Sequence, residues 1–324
     1  MRERRREIRA LSQPLRPAVA VVTDGRSCGS GDLLRTVGAD IPGLLGPDPL
    51  ESLAWAAREG VPSAYIDLRA LFADDVEAVW IDIADPAWGP VALAAARAGV
   101  HVLLAAPPDE PAEAAATARE LADAADEGDV AASVVLRTRA WPGAAVLKEC
   151  VGDSPPVQVT LLGWPANQYC RLELVDVVSR CCGDIVAVCA DAGAMPAPRL
   201  TPDAPVTISL LTERGTTVLV AERPDASMST CLITVTGQGQ RIVLAGSRLL
   251  RQDDRGVLPV PVAEHPAGAP DGPDALASAA RGAVHLVATP DALPEAATAR
   301  DLLVACRALE AAAESEASGG WVEI

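Results

Sequence analysis

The sequence predicts two domains of different fold class, an α/β domain with a parallel sheet followed by an α+β domain with a largely antiparallel, open-faced sheet. The chain has 324 residues, and 50% of them are hydrophobic, which is enough to bury the cores of two domains. Apolar strands alternate with helical segments in residues 17–138, whereas short extended runs separated by turns dominate residues 139–324. Residues 1–16 are expected to form a basic tail.

The first domain is predicted from repeated strand–helix–strand units. Its predicted strands are Pro17–Thr23, Gly43–Leu45, Ala78–Ile83, Val100–Leu104 and Ala131–Leu136. Its predicted helices begin at Asp32 and then cover Pro49–Glu59, Leu68–Phe72, Pro90–Ala98 and Ala112–Ala125. Apolar strands joined through helices indicate a parallel sheet covered on both faces, so this half of the chain is Rossmann-like.

The second domain is predicted from extended runs at short spacing. These runs are Val157–Gly163, Ile185–Ala190, Val206–Leu211, Thr216–Ala221, Cys231–Thr236 and Arg241–Leu244, and the helices Gln168–Cys182 and Thr298–Ala313 accompany them. Turn sequences such as Glu213–Gly215 join neighbouring runs, which favours antiparallel pairing. Because an antiparallel sheet can leave one face open, we expect this face to make a homo- or hetero-oligomer contact.

Charge and hydropathy exclude several classes of partner. A formal net charge of −17 at pH 7 opposes binding to a phosphate backbone, so nucleic acid is not expected. Every apolar run of the sequence is interrupted by charge or proline before it reaches membrane-spanning length. The Arg-rich start lacks the apolar stretch of a secretory signal. We therefore expect a cytoplasmic location and no membrane partner.

Cysteine and histidine patterns predict neither a metal centre nor a disulfide framework. The eight cysteines form no C-x-x-C pair and lie mostly in apolar contexts, as the adjacent Cys181 and Cys182 do. Small buried thiols of this kind behave as apolar side chains. The three histidines are too far apart along the chain to stand at ligand spacing. No metal is expected.

Four segments together carry a resemblance to a known family. The most informative stretch is Ala98–Pro108, AGVHVLLAAPP, which predicts a helix end, a buried strand and a turn. In chain order the four segments are Pro90–Pro107, Gly183–Val188, Ile233–Gly239 and Ala308–Ile324. Their order and spacing resemble the Gfo/Idh/MocA family of glucose-fructose oxidoreductase and inositol dehydrogenase. The resemblance covers most of the chain and implies a dinucleotide-binding first domain and a second domain that holds a small-molecule substrate.

The resemblance also shows that the family's catalytic lysine is replaced. In the family the strand of the first segment ends in Glu-Lys-Pro, and the lysine handles the proton that accompanies hydride transfer. Ala105 and Ala106 occupy the positions of the glutamate and the lysine here. A methyl group can neither donate a proton nor hydrogen-bond a substrate oxygen, so any chemistry at this position must use another residue or be absent.

The turn after the first strand is the expected phosphate-binding loop. Dinucleotide-binding loops have glycine at three positions, which Thr23, Gly25 and Cys28 occupy here, so only the middle glycine is kept. A Gly-rich turn that binds nothing is an equal alternative. The full set of expected cofactor-binding residues is Thr23, Gly25, Arg26, Ser27, Cys28, Ala106 and Pro107.

The family's ribose-binding acid is also replaced. It falls at Gly46, after the second predicted strand. Loss of this acid favours NADP over NAD, or indicates that no dinucleotide binds. Asp48 could bind the ribose only if the strand is longer than predicted, and no arginine is near in the sequence to favour a 2′-phosphate.

Three residues of the helix Gln168–Cys182 are the candidate catalytic residues. The resemblance places Tyr169, Glu173 and Asp176 where family members often have Asp, His and Asp facing the nicotinamide. Their spacing of four and three residues puts them on one helical face. Glu173 would need burial to act as a proton donor near neutral pH, and Tyr169 would need a cationic neighbour. A polar stripe on an amphipathic helix is the alternative.

Two functions follow from the resemblance. The first is a divergent NAD(P)H-dependent oxidoreductase that reduces a thiazoline-like imine or another natural-product intermediate, free or carrier-bound. The thiazolinyl imine reductases of siderophore assembly lines, a branch of the same fold, resemble the chain at Gly43–Gly46 and Gly99–Leu104 and also lack the lysine. The second is a catalytically degenerate pseudoenzyme that serves as a scaffold or oligomer partner and binds no dinucleotide.

Overall fold

The computed structural model describes most of the chain in thirteen ranges. They are residues 16–25, 30–83, 87–105, 111–151, 158–165, 168–191, 207–223, 232–237, 240–245, 248–253, 256–260, 273–289 and 296–324. The chain divides into two compact units. The first unit takes its described residues from 1–106, 120–135 and 277–299, and the second unit takes them from 107–119, 136–276 and 300–324.

The strands of the described residues are two to eight residues long. They are β1 (Val19–Thr23), β2 (Gly43–Leu45), β3 (Ser63–Ala64), β4 (Ala78–Asp82), β5 (His101–Leu104), β6 (Ala132–Val134), β7 (Gln158–Pro165), β8 (Ile185–Asp191), β9 (Thr207–Thr212), β10 (Thr217–Arg223), β11 (Leu232–Gly237), β12 (Gln240–Ala245), β13 (Arg248–Asp253), β14 (Gly256–Val260), β15 (Ala297–Thr298) and β16 (Val322–Glu323).

The α-helices of the described residues alternate with the early strands and become sparse among the later ones. They are α1 (Ser30–Thr36), α2 (Pro49–Glu59), α3 (Leu68–Ala73), α4 (Trp88–Arg97), α5 (Pro111–Gly128), α6 (Pro142–Val151), α7 (Gln168–Cys182), α8 (Pro273–Ala288) and α9 (Ala299–Ser318). A 3₁₀ helix covers Arg137–Ala140. Within the described residues, no helix is both long and apolar enough to cross a lipid bilayer.

The first unit contains a seven-stranded sheet in the order β15–β6–β5–β4–β1–β2–β3. All of its strand pairs are parallel except β15 with β6. Every residue of β1 is buried, as expected for a central strand covered on both faces. The strand order reverses beside β1, because β2 and β3 extend the sheet on one side and β4, β5 and β6 on the other. Such a reversal is where open α/β sheets bind ligands.

The second unit contains a nine-stranded sheet in the order β14–β13–β12–β11–β7–β10–β9–β8–β16. Its strand pairs are antiparallel except β7 with β10. Burial alternates along the strands: Ile208 and Leu210 are buried, whereas Leu162, Val186 and Leu250 are partly exposed. Both sheets confirm the predicted fold class.

Local capping residues set the bounds of helix α2, which carries Trp55. Asp48 caps its N-terminus and accepts hydrogen bonds from the amides of Leu50 and Glu51 at 2.8 and 2.9 Å. Gly60, in the left-handed conformation with φ +63°, ends it. Because Asp48 caps this helix, β2 ends at Leu45 as predicted, and the side chain of Asp48 is committed to the cap.

Helix α7 is buried on almost every side, from Cys170 to Val178. Charged side chains on such a helix must be paired, since an isolated ion in an apolar interior costs several kcal/mol. Three of its ionisable residues, Arg171, Glu173 and Asp176, are buried in the second unit. Their partners therefore determine what chemistry this helix can perform.

Candidate functional site

A cleft opens in the first unit at the carboxyl ends of β1 and β2, and we call it the β1–β2 cleft. It encloses about 350 Å³ of empty space, including its open mouth. The residues that matter for its chemistry are Thr23, Gly25, Ser30, Trp55, Arg58 and Glu59. The resemblance-based prediction expected the dinucleotide at this edge of the sheet.

The indole of Trp55 lines the β1–β2 cleft and packs against the backbone of Gly25. A Cβ atom at position 25 would lie 2.1 Å from Cζ2 and Cη2 of Trp55, so only glycine fits there. Gly25 also has φ +82°, a conformation that other residues rarely adopt. A Cβ atom at Gly46 would lie 2.8 Å from Cζ3 of the same indole. The glycine at the position of the family's ribose-binding acid thus has a packing cause.

Two backbone amides at this edge donate hydrogen bonds to side chains of the same unit. The amide of Gly25 donates to Thr23 Oγ1 at 3.0 Å, and the amide of Gly46 donates to Ser52 Oγ at 2.7 Å. Ser30 Oγ donates to Asp82 Oδ2 at 2.5 Å. Thr23, which stands at the position of the loop's first glycine, thus accepts the Gly25 amide with its own side chain.

The residue types of the cleft fit a phosphate-bearing nucleotide. Gly25 supplies the turn with positive φ that lets a ligand approach the backbone, and Arg58 supplies a cation at the cleft. Glu59 Oε1 lies 3.8 Å from Arg58 Nε, so a phosphate would compete with this carboxylate for the guanidinium. The indole of Trp55 takes up space that the nucleotide needs. A dinucleotide at this cleft would therefore require the indole to move aside.

The other predicted cofactor-binding residues lie outside the described residues. These are Arg26, Ser27, Cys28, Ala106 and Pro107. Ala105 is described, and its amide continues the pairing of β5 with β4 by donating to the carbonyl of Ile81 at 2.9 Å. The side chain of Ala105 is a methyl group and supplies no proton donor.

Glu173, on α7, is completely buried and paired with Arg137. Its Oε1 accepts a hydrogen bond from the Arg137 amide at 2.7 Å, and its Oε2 accepts one from Arg137 Nη2 at 3.0 Å. The Thr138 amide also donates to Oε1, at 3.4 Å. Burial raises the pKa of Glu173 above its usual range, while the bonds from Arg137 and Thr138 oppose this shift. The burial that the prediction required for this residue is present.

Tyr169 lies beneath the same arginine. The Arg137 guanidinium is 4.4 Å from the centroid of the Tyr169 ring, so the cationic neighbour that the prediction required is also present. Burial raises the pKa of Tyr169 further above its usual range, and the nearby Glu173 carboxylate acts in the same direction. The phenol therefore stays protonated at neutral pH.

Asp176, one turn along α7, is paired with a second arginine of the 3₁₀ helix. Arg139 Nε lies 3.0 Å from both carboxylate oxygens of Asp176, and Arg139 Nη2 lies 3.1 Å from Asp301 Oδ2. Burial raises the pKa of Asp176, and the hydrogen bonds from Arg139 oppose this shift. Tyr169, Glu173 and Asp176 thus share one face of α7 as predicted, with two arginines against it.

Sequence reasoning missed the partners of these residues and a further buried pair. Arg171 and Glu222 are 1% and 0% exposed and bond bidentately, with Nε–Oε1 and Nη2–Oε2 both at 2.7 Å. The signal that could have found the partners was the apolar character of α7, because each acid on a buried helix needs a cation. Arg137 and Arg139 directly follow a buried strand and were the obvious source.

Metal and thiol chemistry receive no support from the described residues. Among them, no group of three or more His, Cys, Asp or Glu side chains could hold a metal ion. Burial raises the pKa of both Cys181 and Cys182 to about 12, so these thiols stay protonated and unreactive.

Comparison with known proteins identifies the fold. No family model and no curated protein matches the chain, but many solved structures do. An oxidoreductase from Agrobacterium radiobacter in complex with NAD⁺, L-tartaric acid and magnesium is 17% identical, with a TM-score of 0.73 over 95% of this chain and 98% of that chain. The fold is that of Gfo/Idh/MocA oxidoreductases.

Two further structures illustrate the range of proteins with this fold. Aldose-aldose oxidoreductase from Caulobacter crescentus, complexed with glycerol, is 15% identical, with a TM-score of 0.74 over 96% of this chain and 100% of that chain. GenD2 from gentamicin A biosynthesis, in complex with NAD, is 19% identical, with a TM-score of 0.67 over 97% and 98%. Likeness at these identities establishes the fold alone.

Proposed function

We propose that the chain is an NAD(P)-dependent oxidoreductase that reduces a thiazoline-like imine or another natural-product intermediate, free or carrier-bound. The observation that carries this proposal is the strand order β3–β2–β1–β4–β5–β6 with a cleft at the carboxyl ends of β1 and β2. Similar structures contain NAD, among them that of GenD2 from gentamicin A biosynthesis, and this supports the cofactor class.

We propose NADP rather than NAD as the cofactor. Gly46 leaves no carboxylate where the family binds the ribose, so nothing at that position repels a 2′-phosphate. Arg58, 53% exposed, lines the cleft and offers a guanidinium to that phosphate. Gly25 would face the pyrophosphate. The dinucleotide, when bound, supplies the hydride.

The missing lysine restricts what the chain can reduce. An imine nitrogen is basic enough to accept a proton before hydride transfer, whereas a ketone needs an acid positioned at its oxygen. Tyr169 remains protonated at neutral pH and can donate a hydrogen bond, and Glu173 is the buried carboxyl beside it. With Asp176, these are the residues that we propose for holding or moving the proton. Arg137 and Arg139 fix the two carboxyl groups in place.

A second candidate function is a catalytically degenerate scaffold or oligomer partner. Three features of the first unit favour this candidate. They are the indole of Trp55 at the cleft, the hydrogen bond that the Gly25 amide donates to Thr23 Oγ1, and the methyl group of Ala105. In this case the partly exposed sheet face of the second unit, which includes Leu162 and Leu250, would contact the partner.

Cofactor titration distinguishes the two candidates. We expect NADPH to bind the purified full-length chain at least about tenfold more tightly than NADH in isothermal titration calorimetry, a difference of about 1.4 kcal/mol. Arg58→Ala should remove this preference and leave NADH binding unchanged, and Arg69→Ala serves as the matched control on a neighbouring helix. Absence of binding by both dinucleotides, in the wild type and also in Trp55→Ala, which lacks the indole at the cleft, would refute the oxidoreductase and favour the scaffold.

A further inference from the structure

We infer that Trp55 is a gate for the cofactor: its indole occupies the place of the nucleotide in the free protein and must turn outward before a dinucleotide binds. The inference rests on the proposed function, because it assumes that the β1–β2 cleft is the cofactor site. Loops that bind dinucleotides have glycine at the position of Gly25 so that the pyrophosphate can approach the backbone. The volume freed by that glycine is filled here by Trp55.

The contacts of the indole show that it competes directly with a nucleotide. Cζ2 and Cη2 lie 2.1 Å from where a Cβ of Gly25 would be, and Cζ3 lies 2.8 Å from where a Cβ of Gly46 would be. These glycines mark the pyrophosphate and ribose positions of the predicted site. An aromatic ring that packs against both of them excludes any ligand from the same space.

The movement required is confined to one side chain. Helix α2 is held at both ends, by the Asp48 cap and by Gly60, so the backbone that carries Trp55 is fixed. Trp55 is only partly buried, and the cleft is open to solvent, so the ring can leave by rotation about its side-chain torsions. The open state leaves an apolar ring in water and is therefore the less populated one.

The gate makes quantitative predictions. If the open state has a population f, the apparent dissociation constant of the cofactor is its intrinsic value divided by f. Removing the indole should then strengthen NADPH binding, and we expect Trp55→Ala to lower the dissociation constant at least about tenfold. A tryptophan that instead stacks on the adenine predicts the opposite, namely weaker binding in Trp55→Ala.

The experiment compares NADPH binding to wild type, Trp55→Ala, Gly46→Ala and Leu53→Ala by calorimetry and stopped-flow fluorescence. Gly46→Ala adds a methyl group that pushes the ring outward while keeping Trp55, so it should also bind more tightly. Leu53, exposed on the same helix, is the matched control and should bind as the wild type does. The observed binding rate should reach a plateau with NADPH concentration in wild type and rise linearly in Trp55→Ala.

The outcomes separate the gate from the proposed function. Equal or weaker binding by Trp55→Ala and Gly46→Ala, with NADPH still binding the wild type, overturns the gate and leaves the oxidoreductase standing. Binding only by the two variants supports the gate in its strongest form. Absence of binding by all four proteins, with circular dichroism showing that each is folded, overturns both the gate and the cofactor site.

Discussion

The buried pair Arg171–Glu222 should be one of the strongest single determinants of stability in the second unit. Glu222→Gln keeps the size of the side chain but removes its charge. It also replaces one acceptor with an NH₂ group that faces a guanidinium donor of Arg171. Both side chains are almost completely excluded from water, so no solvent compensates for the loss.

The magnitude follows from the geometry. Two hydrogen bonds of 2.7 Å are perturbed, and the Arg171 guanidinium is left buried without its counter-charge. Breaking a buried ion pair from one side costs about 3–5 kcal/mol, so we expect Glu222→Gln to lower the free energy of unfolding by about 3 kcal/mol.

Equilibrium urea unfolding at pH 7, followed by circular dichroism, measures this loss. Glu213→Gln, at an exposed position of the same unit, is the matched control and should change the free energy of unfolding by no more than about 0.5 kcal/mol. Replacing both partners by apolar residues of similar size, Arg171→Met with Glu222→Leu, should recover most of the stability. A loss below about 0.5 kcal/mol in Glu222→Gln would refute the reasoning that α7 depends on paired charges.

Four further predictions address the thiols, the cleft, the proton donor and the sheet face. Burial raises the pKa of the Cys182 thiol in the folded state from 9.0 to about 12, so its contribution to stability is complete below pH 9 and falls as the pH rises toward 12. Between pH 8 and pH 10, the free energy of unfolding in urea should fall by about 1.4 kcal/mol more for the wild type than for Cys182→Ala. Equal losses in the two proteins would contradict the burial of this thiol. Gly25→Ala should destabilise the protein by at least about 1 kcal/mol, because both the positive φ and the indole of Trp55 oppose a side chain at position 25. In a double-mutant cycle, Trp55→Ala should relieve part of that cost. An interaction energy of zero would argue against contact between Gly25 and Trp55. Tyr169→Phe should lower turnover of an imine substrate by about 10²-fold. Its free energy of unfolding should stay within about 0.5 kcal/mol of the wild-type value. Unchanged turnover would remove Tyr169 from the mechanism. Leu162→Arg should convert the expected oligomer to a monomer, because it places a charge at a partly exposed apolar position of the sheet. Light scattering after size-exclusion chromatography measures the change. A wild type that is already monomeric would overturn the predicted interface.

Much of the fold follows from local signals in the sequence. The predicted helices Pro49–Glu59 and Gln168–Cys182 have the bounds found in the structure, because Asp48 and Gly60 are strong capping residues and Gly183 follows the second helix. Strands β13 and β14 were missed. The sequence of β13, RLLRQD, lacks alternation of apolar and polar residues, so pairing with β12 rather than local pattern determines it.

Helix α8 and the return of the chain to the first unit were also not predicted. Residues 277–299 belong to the first unit although they follow most of the second in sequence. Strand β15 has two residues and is held by antiparallel pairing with β6. A strand this short has no periodicity of its own, so only the edge of the sheet that it joins defines it.

The sequence predicted that the candidate residues of α7 share one helical face, but it did not predict the residues that contact them. Helical periodicity places Tyr169, Glu173 and Asp176 on one face, but their pairing with Arg137 and Arg139 joins segments more than thirty residues apart. The position of Trp55 depends on β1 and β2 being neighbours, which brings α2 against Gly25. The role of Gly25 in phosphate binding stays a prediction, and the sequence did not identify the indole of Trp55 that packs against this glycine.

Hydrogen–deuterium exchange with and without NADPH tests most directly the claim that the β1–β2 cleft is a cofactor site. We expect slower amide exchange on NADPH addition in residues 19–25 and 43–60, and no change in strands β12, β13 and β14. Protection confined to the second unit, or no protection anywhere at saturating NADPH, would contradict it.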